Sequence, residues 1–323
     1  MMLSRTHITT GAAFAAIYVI WGSTYLALAL GLQTLPPFLL MGTRCLIGGT
    51  ILYTYARLKG AAVPSITMCA IAVTCGLLFF VGCHGVLAYA QQRVPSGVAA
   101  LLLATIPFWI VLLQAFIPGG ERPTGMRAAL LVPGIGGVAL IAWQEISSNA
   151  SAVHLVDLLV LLGASLSWAV GTVISERYSA KFASTGLAGL ELLAGGVALA
   201  VISALSGELD AVEPTQISAV SLGGLAYLIL FGTVIAFAAY TWLLKRRSPS
   251  LVATYTFVNP IIALALGCTF LGESVTTSII VGAAMIIISV AGLLLTQHKS
   301  SKDGKTSYSR EGQISRRRPL RTR

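Results

Sequence analysis

The sequence predicts an all-α integral membrane protein whose ten transmembrane helices form two inverted five-helix repeats. Three observations lead to this class: the composition, ten long apolar runs, and landmark residues that recur at nearly constant spacing. The 323 residues are 56% hydrophobic and only 10% charged, and their mean hydropathy is +0.86. Soluble domains carry about 25% charged residues, so we expect lipid rather than water to surround most of the chain.

Apolar runs of spanning length occur ten times along the chain. A spanning helix needs about 20 mostly apolar residues, and only helices or closed barrels satisfy their backbone groups in lipid. The runs lack the period-two alternation of barrel strands, which favours helices. The predicted spans cover residues 12–31, 38–56, 68–90, 96–117, 127–143, 155–175, 186–205, 218–243, 250–271 and 278–296.

Landmark residues of the first half recur in the second half at a nearly constant spacing, which indicates an internal duplication. Because each copy holds five spans, an odd number, the second copy must enter the membrane from the opposite side. We expect one repeat over residues 12–144 and the other over residues 153–296. The pairs are Trp21 with Trp168, Arg44 with Glu191, and Gly49 with Gly196, each 147 residues apart, and then Pro95 with Pro249, Pro107 with Pro260, and Glu121 with Glu273, which are 152 to 154 residues apart.

Basic charge is concentrated at the C-terminus. The formal net charge is +10, and residues 299–323 hold nine of the 21 Lys and Arg residues against two acids. We expect residues 297–323 to form a disordered basic tail on the cytoplasmic side that binds anionic lipid headgroups, and we expect no nucleic-acid partner. Lys and Arg favour cytoplasmic loops. Since Arg57, Lys59 and Arg127 fall on the same side as both ends of the chain, both termini are predicted to be cytoplasmic.

Two prolines interrupt predicted spans at equivalent places in the repeats. Pro107 and Pro260 each remove a backbone donor, a defect that costs about 3 kcal/mol in a helix interior. The freed carbonyl groups must be satisfied by protein or by a water-filled cavity. Inverted repeats with broken helices are typical of secondary transporters whose halves rock about a midplane site. We therefore expect both prolines to be hinges that face the interior, with a simple packing kink as the alternative.

Four segments carry a family likeness: "WGSTYLALALGLQTLPPFLLMGTRCLIGG", "YAQQRVPSGVAALLLATIPFWIVLL", "SLSWAVGTVISERY" and "SPSLVATYTFVNPIIALALGCTFLGE". They resemble the EamA-type branch of the drug/metabolite transporter superfamily, especially its YedA-like inner-membrane exporters. The resemblance covers about residues 12–296 and ends at the basic tail. It implies ten helices in two inverted repeats, a central cavity, a place in the bacterial inner membrane, and export of small metabolites such as amino acids. Relatives often have an acid at the position of Gln91, which puts a coupling role for this position in doubt.

Ionisable residues inside spans are functional candidates by default. Arg44 and Glu191 occupy equivalent repeat positions, but their backbones should differ by roughly 10 Å in depth. We therefore expect one ionisable group in each vestibule rather than a tight ion pair. Glu191 is the better candidate for proton coupling or for contact with a cation. Snorkelling of either side chain to the headgroups is the alternative.

Polar and aromatic residues within spans complete the predicted substrate site. His84 lies between two glycines and could face a cavity, with a buried, hydrogen-bonded role as the alternative. Asn259 precedes Pro260 and could either contact the substrate or use the carbonyl groups that the proline frees. Aromatic rings with polar tips suit aromatic or organic-cation solutes, whereas core packing or an interfacial belt is the alternative for each ring. The aromatic candidates are Trp21, Tyr25, Tyr89, Trp109, Trp168, Tyr240 and Tyr255.

Motifs for catalysis or nucleotide binding do not occur in a suitable context. The five cysteines fall inside spans without metal-ligand spacing, and we expect no enzyme activity, cofactor or metal. The predicted function is a secondary transporter that exports small metabolites, amino acids or drug-like organic solutes, by alternating access. The alternatives are a non-transporting membrane scaffold or sensor, and a passive channel. The sequence assigns no oligomeric state.

Overall fold

The computed structural model describes residues 5–116, 125–147, 153–179, 184–244, 246, 252, 254–293 and 295–296. Within these ranges the chain is helical with short turns, and no strand occurs. Three features of the sequence lie outside the described residues: the basic tail, residues 120–123 with Glu121, and the pair Pro249 and Ser250.

Helices in the described ranges follow the predicted spans, and we number them in chain order. They are α1 (Arg5–Gly31), α2 (Pro37–Leu58), α3 (Ile66–Ala90), α4 (Ser96–Phe116), α5 (Gly125–Ser147), α6 (Leu155–Ser179), α7 (Ser184–Leu205), α8 (residues 219–244), α9 (Tyr255–Leu271) and α10 (Thr277–Leu293). Seven of them, α1 and α3 to α8, are long and apolar enough to cross a membrane, and α9 and α10 are shorter apolar helices. The helical membrane class is therefore confirmed, whereas ten crossings and their inversion stay predictions.

Local sequence determines where several helices begin and end. Pro37 is the first residue of α2, a position that needs no backbone donor. Ser65 and Ser218 cap α3 and α8, and each accepts a hydrogen bond from the backbone N–H three residues on, at 3.2 and 3.1 Å. Gly272 ends α9 with a φ of 66°, a left-handed conformation that glycine adopts without strain.

A π-helical segment lies within α3, at Leu77–Gly85, and another lies within α8, at Leu228–Ile235. A π turn alters the regular hydrogen-bond ladder and is frequent at functional sites. The indole of Trp21 in α1 and the hydroxyl of Ser167 in α6 each donate to a carbonyl of the neighbouring π segment, at 3.0 and 2.8 Å. The two segments occupy corresponding helices of the two predicted repeats, and no residue pattern in the sequence predicts them.

The helix is interrupted at one of the two predicted hinge prolines and continuous at the other. In α4 the helix ends at Leu103 and resumes at Ile106, so the break falls directly before Pro107. The Thr105 hydroxyl lies in this break and donates to the Leu102 carbonyl at 2.6 Å. In contrast, α9 runs without a break through Pro260. Both prolines are buried, and the hinge role of each stays a prediction.

Glycines bring α2 and α7 together with almost no side chain between them. A Cβ placed on Gly49 would lie 2.9 Å from the Leu193 nitrogen, and one on Gly196 would lie 2.9 Å from the Leu46 nitrogen. A second pair of contacts joins Gly42 to Ala200 and Gly189 to Tyr53, where the Cβ would lie 3.2 and 2.7 Å from the partner nitrogen. The contact of Gly49 with Leu193 becomes that of Gly196 with Leu46 when 147 is added to 49 and subtracted from 193. The same operation converts the contact of Gly42 with Ala200 into that of Gly189 with Tyr53. The helices are therefore antiparallel, and their interface is self-complementary.

At one end of the helix bundle, an ion pair joins the loop after α3 to the start of α6. The guanidinium of Arg93 donates to both carboxylate oxygens of Asp157, with the shortest N–O distance at 2.5 Å. The Arg93 guanidinium also lies 4.9 Å from the centre of the Tyr89 ring. The hydrogen bonds from Arg93 to Asp157 raise the pKa of the arginine above its ordinary value. Asp157 is 6% exposed at its side chain, so this pair is partly withdrawn from solvent and gains from low local dielectric.

Two glutamates of the second half cap helices of the first half at this same end. Glu273 accepts hydrogen bonds from the Ser96 and Gly97 nitrogens at the start of α4, at 2.6 and 3.1 Å. Glu208 accepts from the Phe38 and Leu39 nitrogens at the start of α2, at 3.2 and 2.8 Å. A carboxylate at a helix N-terminus satisfies orphan donors and favours the helix dipole. We call this end, which holds residues 32–39, 89–97, 153–157, 206–218 and 272–276, the clamped end.

Burial differs between the starts of α4 and α9, which are equivalent in the predicted repeats. Every residue from 96 to 105 is buried, whereas every residue from 254 to 258 is half-buried. The start of α4 lies at the clamped end and the start of α9 lies toward the opposite end of the bundle. Packing is therefore tighter around the start of α4 than around residues 254–258 at the start of α9, although Val252 just before them is buried in a cluster with Ile17 and Leu243.

Candidate substrate site

An aromatic cluster forms where α1, α8 and α9 meet. The Trp21 ring lies 4.7 Å from the Tyr255 ring and 5.3 Å from the Tyr240 ring, measured between centroids. The Trp21 indole N–H is satisfied because it donates to the Gly232 carbonyl in the π segment of α8 at 3.0 Å. We call Trp21, Tyr240 and Tyr255 the aromatic cluster. Its three rings are half-buried and combine apolar faces with two phenol hydroxyls.

Tyr25 and Asn259 lie next to this cluster. Tyr25 is one helical turn from Trp21 on α1, and it is close enough to Tyr255 and Cys83 to interact electrostatically with them. The Asn259 amide nitrogen can donate to the carbonyl oxygens of Tyr255 and Tyr18, at 3.1 and 3.3 Å. Asn259 therefore ties α9 to α1 behind the rings, a positioning contact rather than a free amide.

Arg44 extends from α2 toward the π segment of α8. Its side chain is buried, and its Nε donates to the Thr233 hydroxyl at 3.0 Å. The Thr233 hydroxyl in turn donates to the Leu228 carbonyl at 2.9 Å, five residues earlier in the same segment. Gly48, one turn after Arg44, gives Thr233 room, since a Cβ there would lie 2.6 Å from the Thr233 methyl carbon. The π segment thus holds the hydroxyl that orients Arg44.

His84 faces this same interior from α3. Its Nδ1 lies 3.0 Å from the Phe79 carbonyl and must donate to it, so Nε2 points away from the helix backbone. The imidazole packs against the Trp168 ring at 5.0 Å and the Phe80 ring at 5.7 Å. Arg44 is near enough to His84 for the two side chains to interact electrostatically. His84 therefore contacts the Trp168 ring of α6 and lies near Arg44 of α2.

Glu191 lies on the other side of the α2–α7 interface. Gly49 is opposite Leu192 and Leu193, so Arg44 and Glu191 are displaced by about seven residues, or roughly 10 Å, along the helix axes. The Glu191 carboxylate accepts a hydrogen bond from Ser175 of α6, and its Oε1 is buried without a partner. The structure therefore separates the Arg44 guanidinium on α2 from the Glu191 carboxyl group on α7, and the two do not form an ion pair.

Two further predicted site residues, besides Glu191, lie apart from the central group. The Trp109 indole donates to the Ser165 hydroxyl at 2.8 Å, which anchors the second part of α4 to α6. Tyr89 is 45% exposed at the clamped end, where its ring stacks on Phe38 at 6.1 Å. The structure brings together Trp21, Tyr25, Arg44, His84, Trp168, Tyr255 and Asn259.

Residues that position the site were missed from the sequence. Thr233 and Ser165 are single hydroxyls in apolar runs, and nothing in their spacing sets them apart from other threonines and serines of spans. Glu273 was recognised as a repeat landmark, but its hydrogen bonds to the start of α4 were not foreseen. The signal for that contact was present, because the Pro-Ser pair and the Gly-Glu pair recur together in both halves.

Comparisons with known proteins identify the family. The model of the EamA-like transporter family matches residues 9–143 and 155–295. The inner membrane transporter YedA of Escherichia coli is 33% identical over 290 residues, which is 90% of this chain and 90% of YedA. The transporter YvbV of Bacillus subtilis is 27% identical over 91% of this chain and 93% of its own length. A probable amino-acid metabolite efflux pump of Escherichia coli is 26% identical over 86% of this chain and 93% of its own length.

A solved crystal structure resembles the fold over most of both chains. It superposes with a TM-score of 0.62 and covers 90% of this chain and 98% of the other. The sequences are 20% identical, so this likeness concerns the fold alone.

Proposed function

Because the chain belongs to the EamA-like transporter family, we propose that it exports small organic solutes, amino acids among them, by alternating access. Its family and its relatives are membrane transporters. The protein is likewise a membrane transporter of small solutes and not an enzyme. The name of one relative, an amino-acid metabolite efflux pump, supports both the direction of transport and the class of solute. The name of YedA supports a place in the inner membrane of a bacterium.

The observation that carries this proposal is the self-complementary interface of α2 and α7. Its contacts at Gly42, Gly49, Gly189 and Gly196 exchange under the same offset of 147 residues that the sequence repeat has. Two antiparallel copies of one helix, related by a twofold axis in the membrane plane, would produce this pattern. Backbones in contact leave little freedom for sliding, so the two halves would rotate about this interface.

The asymmetry between the two ends of the bundle supports an assignment of state. Glu208, Glu273 and the Arg93–Asp157 pair all close the clamped end. With both termini cytoplasmic, the clamped end faces the periplasm, and the half-buried start of α9 faces the cytoplasm. The loop with Arg246 then also falls on the cytoplasmic side, in keeping with the positive-inside rule. We therefore assign the structure to an inward-facing state that would receive solute from the cytoplasm.

The break in α4 would let its two parts move separately during the exchange of states. Pro107 follows the break directly, and the two π segments add further places where the helix ladder is already altered. In this scheme α4 bends more readily than α9, which remains continuous at Pro260.

Counterflow into proteoliposomes tests the proposed function. Liposomes with the purified full-length protein are loaded with a panel of unlabelled amino acids, and uptake of each labelled amino acid is followed. A carrier gives saturable uptake that depends on the internal solute, whereas protein-free liposomes give none. Uptake without saturation would identify a channel, and the absence of counterflow for the whole panel would support a scaffold or sensor.

A further inference from the structure

The Arg44 guanidinium is a buried cation whose donors are mostly unused. The residue is 8% exposed, its Nε donates to Thr233, and its Nη1 has only the Met41 sulfur at 4.0 Å. A guanidinium has five N–H donors. In the part of the chain that the structure describes, no carboxylate contacts Arg44 and no hydrogen bond reaches its Nη2. One edge of the guanidinium is therefore available to a ligand.

We infer that Arg44 binds a carboxylate group of the transported solute. The inference rests on the proposed function and assigns its substrate class: solutes that combine a carboxylate with an apolar or aromatic body. A cation removed from water needs a counter-charge, and charged residues within membrane helices are usually functional for this reason. The planar fork of arginine matches a carboxylate with two parallel hydrogen bonds.

The surroundings of Arg44 fit a solute of this kind. A Cβ on Gly232 would lie 3.6 Å from the Arg44 Nη2, and the carbonyl of this same glycine accepts the Trp21 indole N–H. Arg44 and the aromatic cluster therefore meet at one residue of the π segment. A carboxylate on Arg44 would leave the rest of the solute beside the rings of Trp21, Tyr240 and Tyr255.

The charge distribution disfavours organic cations at this position. Arg44 carries a permanent positive charge, and His84 is near it without a carboxylate partner of its own among the described residues. Glu191 is displaced by roughly 10 Å along the helices and bonds to Ser175 in the other half. A cationic solute would meet repulsion from Arg44, and no carboxylate contacts Arg44 within the described ranges. The site thus selects for carboxylates against their amides and against cations.

The experiment compares amino acids with their carboxamides in the full-length protein. Phenylalanine and phenylalaninamide, and leucine and leucinamide, compete for counterflow in proteoliposomes of the wild type, Arg44→Gln, Arg44→Lys and Arg57→Gln. Arg57→Gln is the matched control, since it removes an exposed arginine of the same helix whose Nη1 donates to the Ala61 carbonyl. We expect the wild type to bind the acids at least tenfold more tightly than the amides. Arg44→Gln should abolish this ratio, Arg44→Lys should retain part of it, and Arg57→Gln should leave it unchanged.

Two results would overturn the inference while the proposed function stands: equal affinity of the wild type for acids and amides, or an unchanged ratio in Arg44→Gln. If Arg44→Gln fails to insert in the membrane, the acid-to-amide affinity ratios of the wild type and of Arg44→Lys still decide whether Arg44 binds the carboxylate. A lack of exchange of any solute by the wild type would remove the proposed function together with the inference.

Discussion

Replacing Glu273 by glutamine should open the clamped end. The carboxylate of Glu273 accepts hydrogen bonds from the Ser96 and Gly97 nitrogens, at 2.6 and 3.1 Å, where α4 begins. Hydrogen bonds to a charged group contribute about 1.5 to 3 kcal/mol each, and the helix dipole adds about 0.3 to 1 kcal/mol. Glutamine keeps one neutral bond of about 1 kcal/mol. The lower bounds of these contributions predict that Glu273→Gln weakens the closed arrangement by at least about 2 kcal/mol, a factor of at least about 30 in its population relative to the open one.

Thiol accessibility measures this shift. Ala100 is 1% exposed in α4, so a cysteine there, in a background without the five native cysteines, should react slowly with a membrane-impermeant reagent added from the side of the clamped end, which we propose to be the periplasmic side. Glu273→Gln should raise the labelling rate by about the same factor of 30. Glu213→Gln is the matched control, because Glu213 is an exposed carboxylate at the same end whose hydrogen bond comes from Gln216. If both glutamine variants label at the wild-type rate, the carboxylate does not hold the clamped end closed.

Three further predictions concern the interface, the ion pair and the break in α4. Gly49→Ala should lower the unfolding temperature in detergent, because overpacking costs about 1 to 3 kcal/mol. Gly223→Ala is the control and should not lower it, since nothing lies within 4 Å of a Cβ at Gly223. Equal unfolding temperatures of the two variants would contradict close backbone contact between α2 and α7. Asp157→Asn should raise the labelling rate of the cysteine at position 100 in the same assay. Adding Arg93→Gln to this variant should change the rate little further, because both substitutions break the same ion pair. Additive effects would show that Arg93 and Asp157 do not act as a unit. Pro107→Ala should slow counterflow at unchanged expression, because alanine would close the break in α4. Pro133→Ala, inside α5, is the control and should leave the counterflow rate unchanged. A wild-type counterflow rate in Pro107→Ala would rule out a hinge at Pro107.

The helical membrane class could be predicted because hydropathy depends on composition alone. Apolar runs locate the spans, and the helices begin and end within a few residues of them; α1 and α9 differ most, with starts at Arg5 and Tyr255 against predicted starts at 12 and 250. Lipid leaves a backbone no other way to satisfy its polar groups than helix or closed barrel. Secondary structure is therefore far more constrained here than in a soluble chain.

The candidate site could be predicted only in part. Trp21, Arg44, His84, Tyr255 and Asn259 stand out because polar or aromatic groups are conspicuous in apolar sequence, and the structure brings them together. Their roles depend on tertiary contacts that no local pattern encodes. The hydroxyl that orients Arg44 lies 189 residues away in sequence, and the π segment that supplies it has no residue pattern we could recognise.

The self-complementary interface of α2 and α7 has an evolutionary consequence. An interface of this type lets one five-helix ancestor assemble as an antiparallel homodimer before any gene fusion. In such a dimer every charge would occur twice, so a buried arginine would be accompanied by a second arginine displaced by roughly 10 Å along the helix axes. Divergence of the two copies would remove this constraint, and the positions predicted to be equivalent hold Arg44 in one half and Glu191 in the other. Chemical polarity between the two halves is thus a property that a homodimer of the ancestor could not possess.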